Sequence, residues 1–554
     1  MVDIRNLKSM EGWYYMETLA PLFLTLLPIA VILCMLIIWK KPADISGIVG
    51  WILISIIAMI FFKTSPEVIL RSTAAGFIKS FPVSLIVATS LLQMAFMEKT
   101  GALKRVIIFM KTIAIDDKAV QIMMLSIGFG TLMVAVGATP VSIIPPILIA
   151  MGYSTYVAIA LPAIGYDSLC TYALLGAPVV VFYDVANGFI TRNNLGSELS
   201  LAQIGSIFFM FLPVVSTLIG FCMLWIVDKW EGIKKGWLPC IITGLVIGVV
   251  SYFTNKFENL VTLTGVLAGI AVIIAMSIYL KLKGKKVIDR SKLTEEEIEY
   301  AKKYPLWKAF MPWILLIVLI LALNIPKGIF DFLYKEMTMP IKGLSADFNE
   351  VINTRILWNA YTWIFVSVIL SMFFIRPKAA QIKETLLVWK KRAPRPVFSA
   401  AIFFAIGEIM NMSGFSISEQ AYTVKSMVQV LASASSSVFQ GAYGFVVGFI
   451  GLFGGFITGS EASTIAMFAK YTMTTAKDLN LGITGVVIVT AALAFGGGLA
   501  SVISPSKLQN AAASIDKLGE ENKVIRVAFV FSLILTTVTS IFALILLNTI
   551  KSLG

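Results

Sequence analysis

The sequence predicts an all-α, polytopic membrane protein with about twelve transmembrane helices plus two re-entrant helical hairpins in an inverted repeat. Three observations predict it. Of 554 residues, 58% are hydrophobic and only 14% charged, whereas a soluble domain carries about 25% charged residues. Apolar runs of about 20 residues recur from end to end, the length that crosses a ~30 Å hydrocarbon layer, and mean hydropathy is +0.88. Two further apolar stretches, near 119–150 and 437–478, do not fit as single spans. A chain this poor in polar side chains cannot cover a soluble surface, which excludes a soluble enzyme, a secreted scaffold and a disordered regulator.

The first apolar run, about 19–39, ends at Lys40-Lys41. A cleavable signal has its positive charges before the apolar core, so this run reads as a true span. Further spans are predicted near 45–62, 77–97, 155–182, 204–227, 238–253, 260–281, 309–325, 357–375, 396–413, 483–505 and 527–549. Between them, 281–308 is the only long charged segment. It reads as a cytoplasmic linker between an N-terminal half (1–280) and a C-terminal half (309–554). Within it TEEEIEYAKK predicts a short helix, acidic at its start and basic at its end, as the helix dipole favours.

Charge sets the orientation. The net charge is +14, from 45 Lys and Arg against 31 Asp and Glu. With both termini extracytoplasmic, the cytoplasmic segments are 40–44, 98–118, 228–237, 281–308, 376–395 and 506–526. They hold 30 of the 45 basic residues, the bias that retention of Lys and Arg on the cytoplasmic side produces. The basic balance therefore points to the lipid surface of a plasma membrane, not to nucleic acid. The chain has no histidine, which removes His-based acid–base catalysis, His-ligated haem and His-bound zinc. The cysteines, Cys34, Cys170, Cys222 and Cys240, are scattered without a C-x-x-C pair and indicate neither disulfides nor a metal site. No cofactor is implied, and lipid-facing sequence carries no signature of an oligomeric state.

The halves share a pattern over 77–182 and 396–505. In the first, a span leads to an amphipathic stretch (101–113), then to GFGTLMVAVGATPVSIIPP, then to an interrupted span containing AIGYDSLCTYALLGAP. In the second, a span leads to an amphipathic stretch (417–431), then to LFGGFITGSEASTIAMF, then to AALAFGGGLASVISPSK. Ala138-Thr139 is aligned with Ala462-Ser463, and Pro178 with Pro505. Broken backbone inside a bilayer leaves amides and carbonyls unpaired unless they are buried in protein or face a wet cavity. Interrupted segments at matching positions of inverted halves point to a midplane binding site in a secondary transporter.

At these residues the chain resembles the lactate permease family, which includes lactate and glycolate transporters. The resemblance covers most of the chain. Its specific parts are GATPVSI (137–143), Gly176-Ala177-Pro178, FGGFITGSEASTIAMFAK (453–470) and SVISPSKLQNAAASI (501–515). It departs from the family at Leu132, where an acid is expected, at Val136–Pro140, and at Ser506-Lys507, where the family has Gln after Ser-Pro. The resemblance implies import of a small 2-hydroxymonocarboxylate such as lactate or glycolate, with elevator-like movement carried over from the wider group. A dicarboxylate, gluconate or citrate, with sodium as the coupling ion, is the alternative. An enzyme is disfavoured, since the longest loops, 281–308 and 326–356, carry no recognisable motif and the chain has no histidine, and a channel has no need of inverted interrupted helices.

The expected substrate-binding residues are Gly137, Thr139, Gly459, Ser460, Ser463, Thr464, Ser501, Ser504 and Ser506. Thr139 before Pro140 is placed as a helix cap, and Ser460, Ser463 and Thr464 fit a helix N-terminus, where unpaired amides and the dipole favour an anion. Ser501–Pro505 and Gly176–Pro178 interrupt helices whose freed carbonyls suit a cation and whose hydroxyls suit a substrate. The expected ion-coupling residues are Glu461, Asp167 and Glu408, because acids inside a membrane are costly and usually functional. Lys470 and Lys507 have the reach to attract a carboxylate or to snorkel to the headgroups.

Overall fold

The computed structural model describes residues 4–138, 140–517 and 519–553. They are almost wholly helical, since apolar backbone in lipid has to satisfy its own hydrogen bonds. The N-terminal half runs α1 (Ile4–Ile37), α2 (Ala43–Phe61), α3 (Pro66–Lys79), α4 (Phe81–Lys99), α5 (Ala102–Met110), α6 (Lys118–Ile122), a π-helical stretch Met123–Phe129, α7 (Gly130–Ala135), α8 (Pro140–Ala150), α9 (Thr155–Gly165), a 3-10 stretch Tyr166–Tyr172, α10 (Ala173–Asn193), α11 (Leu201–Thr254) and α12 (Thr264–Leu282). After α13 (Glu295–Lys303), the C-terminal half runs α14 (Leu306–Asn324), α15 (Lys327–Asp331), β1 (Pro340–Lys342), β2 (Val351–Asn353), α16 (Ala360–Ile375), α17 (Ala379–Arg392), α18 (Pro394–Met412), β3 (Phe415–Ser416), β4 (Ala421–Tyr422), α19 (Met427–Phe439), α20 (Tyr443–Thr458), α21 (Glu461–Asp478), α22 (Gly482–Ser501), α23 (Pro505–Ala513) and α24 (Glu521–Leu553).

Among the described residues, twelve helical segments are long and apolar enough to cross a membrane. The number matches the sequence expectation, but the membership differs. Segments 118–135 and 427–458 qualify, Ala360–Ile375 is shorter than the rest, and 201–254 is continuous by length. The last is two antiparallel helices reversed at Asp228 and Lys229, whose backbone leaves the helical region. Across that turn a methyl group on Gly220 would collide with Cys240 Sγ, and one on Gly244 with Thr217 Oγ1. The expected loop 228–237 is therefore a two-residue reversal followed by helix. The expected amphipathic stretch 417–431 also differs. It is divided between the β3–β4 hairpin and the start of α19, because Ser426 caps that helix with a reciprocal Gln429 contact.

Element lengths repeat between the halves. Helices α3 and α17 are both 14 residues, and α4 and α18 both 19. Each 14-residue helix packs on the 19-residue helix of the other half, α3 on α18 and α17 on α4. Deeper in, α10 packs on α21 and α23 on α8. The helix after each break thus lies against the second arm of the opposite hairpin.

Apolar side chains face outward around the molecule, with Phe23 65%, Leu245 59% and Phe373 72% exposed. In water this would be an aggregation surface, whereas lipid covers it without cost. The linker is not a free tether. Tyr300 donates to Gly101 O at 2.9 Å, Arg105 donates to Tyr304 O at 2.9 Å, and Lys285 pairs with Asp117 at 2.7 Å. Helix α13 therefore lies clasped to α5, with Thr294 and Glu297 forming its capping box.

Candidate functional site

The second hairpin turns at Gly459-Ser460. Gly459 has φ +67°, a left-handed conformation that glycine takes without steric cost, so the chain reverses within two residues. Ser460 then caps α21, its Oγ accepting the Ser463 amide at 3.4 Å. Thr458 Oγ1 and Thr464 Oγ1 both donate to Ser460 O, at 2.9 and 2.8 Å. The Thr464 hydroxyl, expected to contact substrate, is therefore engaged in holding the tip. Helix α8 begins at Pro140 and α21 at Glu461.

Glu461 occupies the first turn of α21 and is 2% exposed. Among the described residues neither of its carboxylate oxygens makes a well-formed hydrogen bond, nor does Ser463 Oγ or Thr171 Oγ1, although the Thr171 hydroxyl and the Cys170 thiol stand close enough to act on the carboxylate. A methyl group on Gly498 would lie 2.6 Å from Glu461 Oε2 and 3.2 Å from Cys170 Cβ. The carboxylate thus sits where the hairpin tip of one half meets the 166–172 segment of the other half and α22. Asp167, 3% exposed, and Lys507 are close enough to act on it electrostatically. A buried ionised carboxylate without a partner costs several kcal/mol, so this place suits a cation or proton. The amides of the same helix turn suit an anion.

The 166–172 segment belongs to the first break. After it, Leu174, Leu175 and Gly176 have φ of +52°, +54° and +75°. A left-handed turn costs roughly 1–2 kcal/mol for each non-glycine residue, so the surroundings must hold it. Ser216 donates to Ser168 O at 3.1 Å, and Tyr172 donates to Asn255 Oδ1 at 2.7 Å. A methyl group on Gly176 would meet Thr262 Cα at 3.0 Å. The second break falls between Ser501, which ends α22, and Pro505, which opens α23. Ser504 precedes Pro505 and is 3% exposed. The side chains of Ser501 and Ser506, and the whole of Thr139, lie outside the described residues. Gly137 has φ +85°. A side chain there would meet Ser90 and Ile86 of α4 and Ile364 of α16, and not the Glu461 tip.

Glu408 lies elsewhere. It is 6% exposed near the end of α18 and pairs with Lys79 at 2.9 Å and with Lys470 at 3.3 Å. Lys79 also pairs with Glu350 at 2.8 Å, and Lys470 approaches Glu350 at 3.9 Å. Burial pushes the Glu350 carboxyl up, but the Lys79 and Lys470 ammoniums outweigh it and hold it below the usual carboxylate range. Arg192 pairs with Asp347 on the same loop as Glu350. Lys470 follows Glu461 by nine residues on α21, about 13 Å along the helix.

The structure therefore gathers Glu461, Ser463, Ser460 and Asp167, and separates Glu408 and Gly137 from them. Sequence reasoning missed Cys170, Thr171 and Thr458 at the tip, and Lys79 and Glu350 in the ion-paired cluster. Cys170 and Thr171 lie within the interrupted span already singled out, so that interruption was the signal. Glu350 stands in a loop without a motif, and no local pattern marks it.

The sequence profile of the L-lactate permease family matches residues 22–550. The chain is similar to a glycolate permease of Escherichia coli K12, 24% identical with 94% of each protein covered. It is also similar to the L-lactate permeases of Salmonella typhi and of Escherichia coli K12. Each is 22% identical to it, with 88% of each protein covered.

Proposed function

The chain belongs to the L-lactate permease family, a family of transporters and not enzymes, and from that premise we propose that it imports lactate or glycolate across the plasma membrane by proton symport. Support comes from the family, whose similar members are named for lactate and glycolate, and from the tip of the second hairpin. The observation that carries the reading is the unpartnered, buried Glu461 beside the unpartnered Ser463 hydroxyl at a helix N-terminus. An anion-favouring turn and a cation-requiring acid in one place suit a carboxylate that travels with a positive charge.

Energetics favour co-transport. A monoanion entering against a negative-inside potential is opposed by about 2.3 kcal/mol per 100 mV, and one proton per anion cancels that term. In this reading Glu461 carries the proton, Ser460 and Ser463 meet the carboxylate, and Asp167 tunes the site from the other half. The halves act as inverted repeats with re-entrant hairpins, which the matched helix lengths and reciprocal packing support. The hairpins and broken helices move as an elevator-like unit. Both termini lie outside and 281–308 lies in the cytoplasm, following the basic residues.

The test is uptake into proteoliposomes of labelled L-lactate, glycolate, succinate and gluconate, with proton and sodium gradients imposed separately. Accumulation of lactate or glycolate under a proton gradient alone is expected. Uptake of succinate or gluconate in their place would refute the substrate, and uptake driven only by sodium would refute proton coupling.

A further inference from the structure

The Lys79–Glu350–Glu408–Lys470 cluster joins four separate parts of the chain: α3, the loop 326–356, α18 and the hairpin arm α21. Its charges balance, two lysines against two carboxylates, so it has no spare charge with which to hold an ion. Its distances do not balance. Lys79 holds Glu350 at 2.8 Å and Glu408 at 2.9 Å, whereas Lys470 stands 3.3 Å from Glu408 and 3.9 Å from Glu350. Glu350 Oε2 is buried with no hydrogen-bond partner among the described residues. A static staple gains from complete satisfaction of its polar groups. This one is shortest among α3, the loop and α18, and longer on the side facing the hairpin, where Lys470 reaches the two Glu408 oxygens at 3.3 and 3.5 Å.

The loop is fixed to its surroundings independently of Lys470. Phe348 N–H donates to Gln420 Oε1 at 3.0 Å, Arg192 pairs with Asp347, and Arg355 pairs with Asp184 at 2.8 Å. The Glu350 and Glu408 carboxylates thus form a fixed anionic jaw, bolted by Lys79. Lys470 sits on the same helix as the candidate site, and any movement of that hairpin away from α18 must part Lys470 from the jaw.

We infer that Lys470 and the Glu350–Glu408 jaw form a gate that closes the path to the Glu461 site from the face of the membrane carrying residues 326–356. The inference rests on the transporter reading above, but its test needs no substrate. Cys170, 9% exposed and beside Glu461, reports access to the site. A membrane-impermeant thiol reagent is applied to intact cells and to inside-out vesicles, and labelling at Cys170 is read by peptide mass, apart from Cys34, Cys222 and Cys240. Lys470→Gln should raise the Cys170 labelling rate at least about tenfold in one of the two preparations, as the loss of a buried pair implies. Lys470→Arg, which keeps the charge, should stay within about twofold of the wild type. Labelling unchanged by Lys470→Gln in both preparations overturns the gate. So does equally fast labelling in Lys470→Gln and Lys470→Arg, which would mean general loosening. A gate that passes while lactate uptake fails would leave the gate standing and the substrate wrong. The preparation that responds also shows which face carries the loop.

Discussion

Glu461 and Glu408 are both buried acids in apolar helices, and they are satisfied in opposite ways. Glu408 is held by two lysines from two other helices. Glu461 has no partner for either oxygen among the described residues, although its helix turn is well capped. A paired buried acid holds elements together, and removing it leaves its partners' charges stranded. An unpaired buried acid is a cost that the fold tolerates because something else occupies the place in the working cycle. The two acids looked alike in the sequence, each lying in an apolar run, and only the arrangement of their neighbours separates them.

The largest effect that would sharpen this comparison is on coupling. Glu461→Gln should abolish accumulation driven by a pH gradient while substrate exchange across the membrane continues, because the neutral side chain resembles the protonated acid. Accumulation that persists in Glu461→Gln under a proton gradient alone would place the proton elsewhere. The same substitution should not lower the unfolding temperature in detergent, since no ion pair is lost.

Next in size is Glu408→Gln. It leaves Lys79 and Lys470 sharing Glu350, and breaking a buried pair costs about 3–5 kcal/mol. A clear fall in unfolding temperature in detergent is expected where Glu461→Gln gives none. Equal unfolding temperatures for the two variants would erase the distinction between holding and carrying. Third, Ser463→Ala should weaken apparent substrate affinity roughly 10- to 150-fold, the loss of one hydrogen bond to a charged group, about 1.5–3 kcal/mol. Thr464→Ala, whose hydroxyl braces Ser460 O, should instead lower stability. Affinity unchanged in Ser463→Ala would remove this tip from the substrate site.

What the sequence revealed follows from where the signal lay. Spans were legible because lipid demands long apolar runs, and breaks were legible because glycine and proline mark them. The second break falls at Ser501–Pro505 as expected, whereas the first runs over 166–176 and meets the expected Gly176–Pro178 only at Gly176, with Pro178 inside the helix. The reversal at Asp228-Lys229 falls where the expected loop 228–237 begins, but its tightness was not legible, because charged residues around a two-residue turn read like an ordinary loop. The ion-paired cluster was invisible as a unit. Its members are separated by between 58 and 391 residues in the chain, and pairing across such distances leaves no local pattern. Glu408 and Lys470 were each noticed alone, as an ion-coupling acid and as an anion attractor, when the nearest charge to Lys470 is Glu408 and the nearest to Glu408 is Lys79.

The smallest expected effect concerns a third acid, Glu297, which is paired like Glu408 but lies at the surface. It accepts the Thr294 amide in the capping box of α13 and pairs with Lys111 of the N-terminal half. Burial pushes its carboxyl up, and the Lys111 contact outweighs this and holds it below its ordinary value of 4.5. A carboxyl lowered in the folded protein stabilises it above the unfolded value and loses that contribution as pH falls through the folded value. Glu297→Gln keeps an acceptor for the Thr294 amide and removes only the charge. Partly exposed pairs contribute about 0–1 kcal/mol. The variant should therefore lower hydrogen-exchange protection of 295–303 by no more than about fivefold at neutral pH. As pH falls below 4.5, the difference from the wild type should shrink, since protonation makes the two side chains alike. A loss much larger than fivefold, or a gap that widens in acid, would mean that this clasp behaves as a buried pair. Exposure would then no longer separate it from the cluster at Glu408.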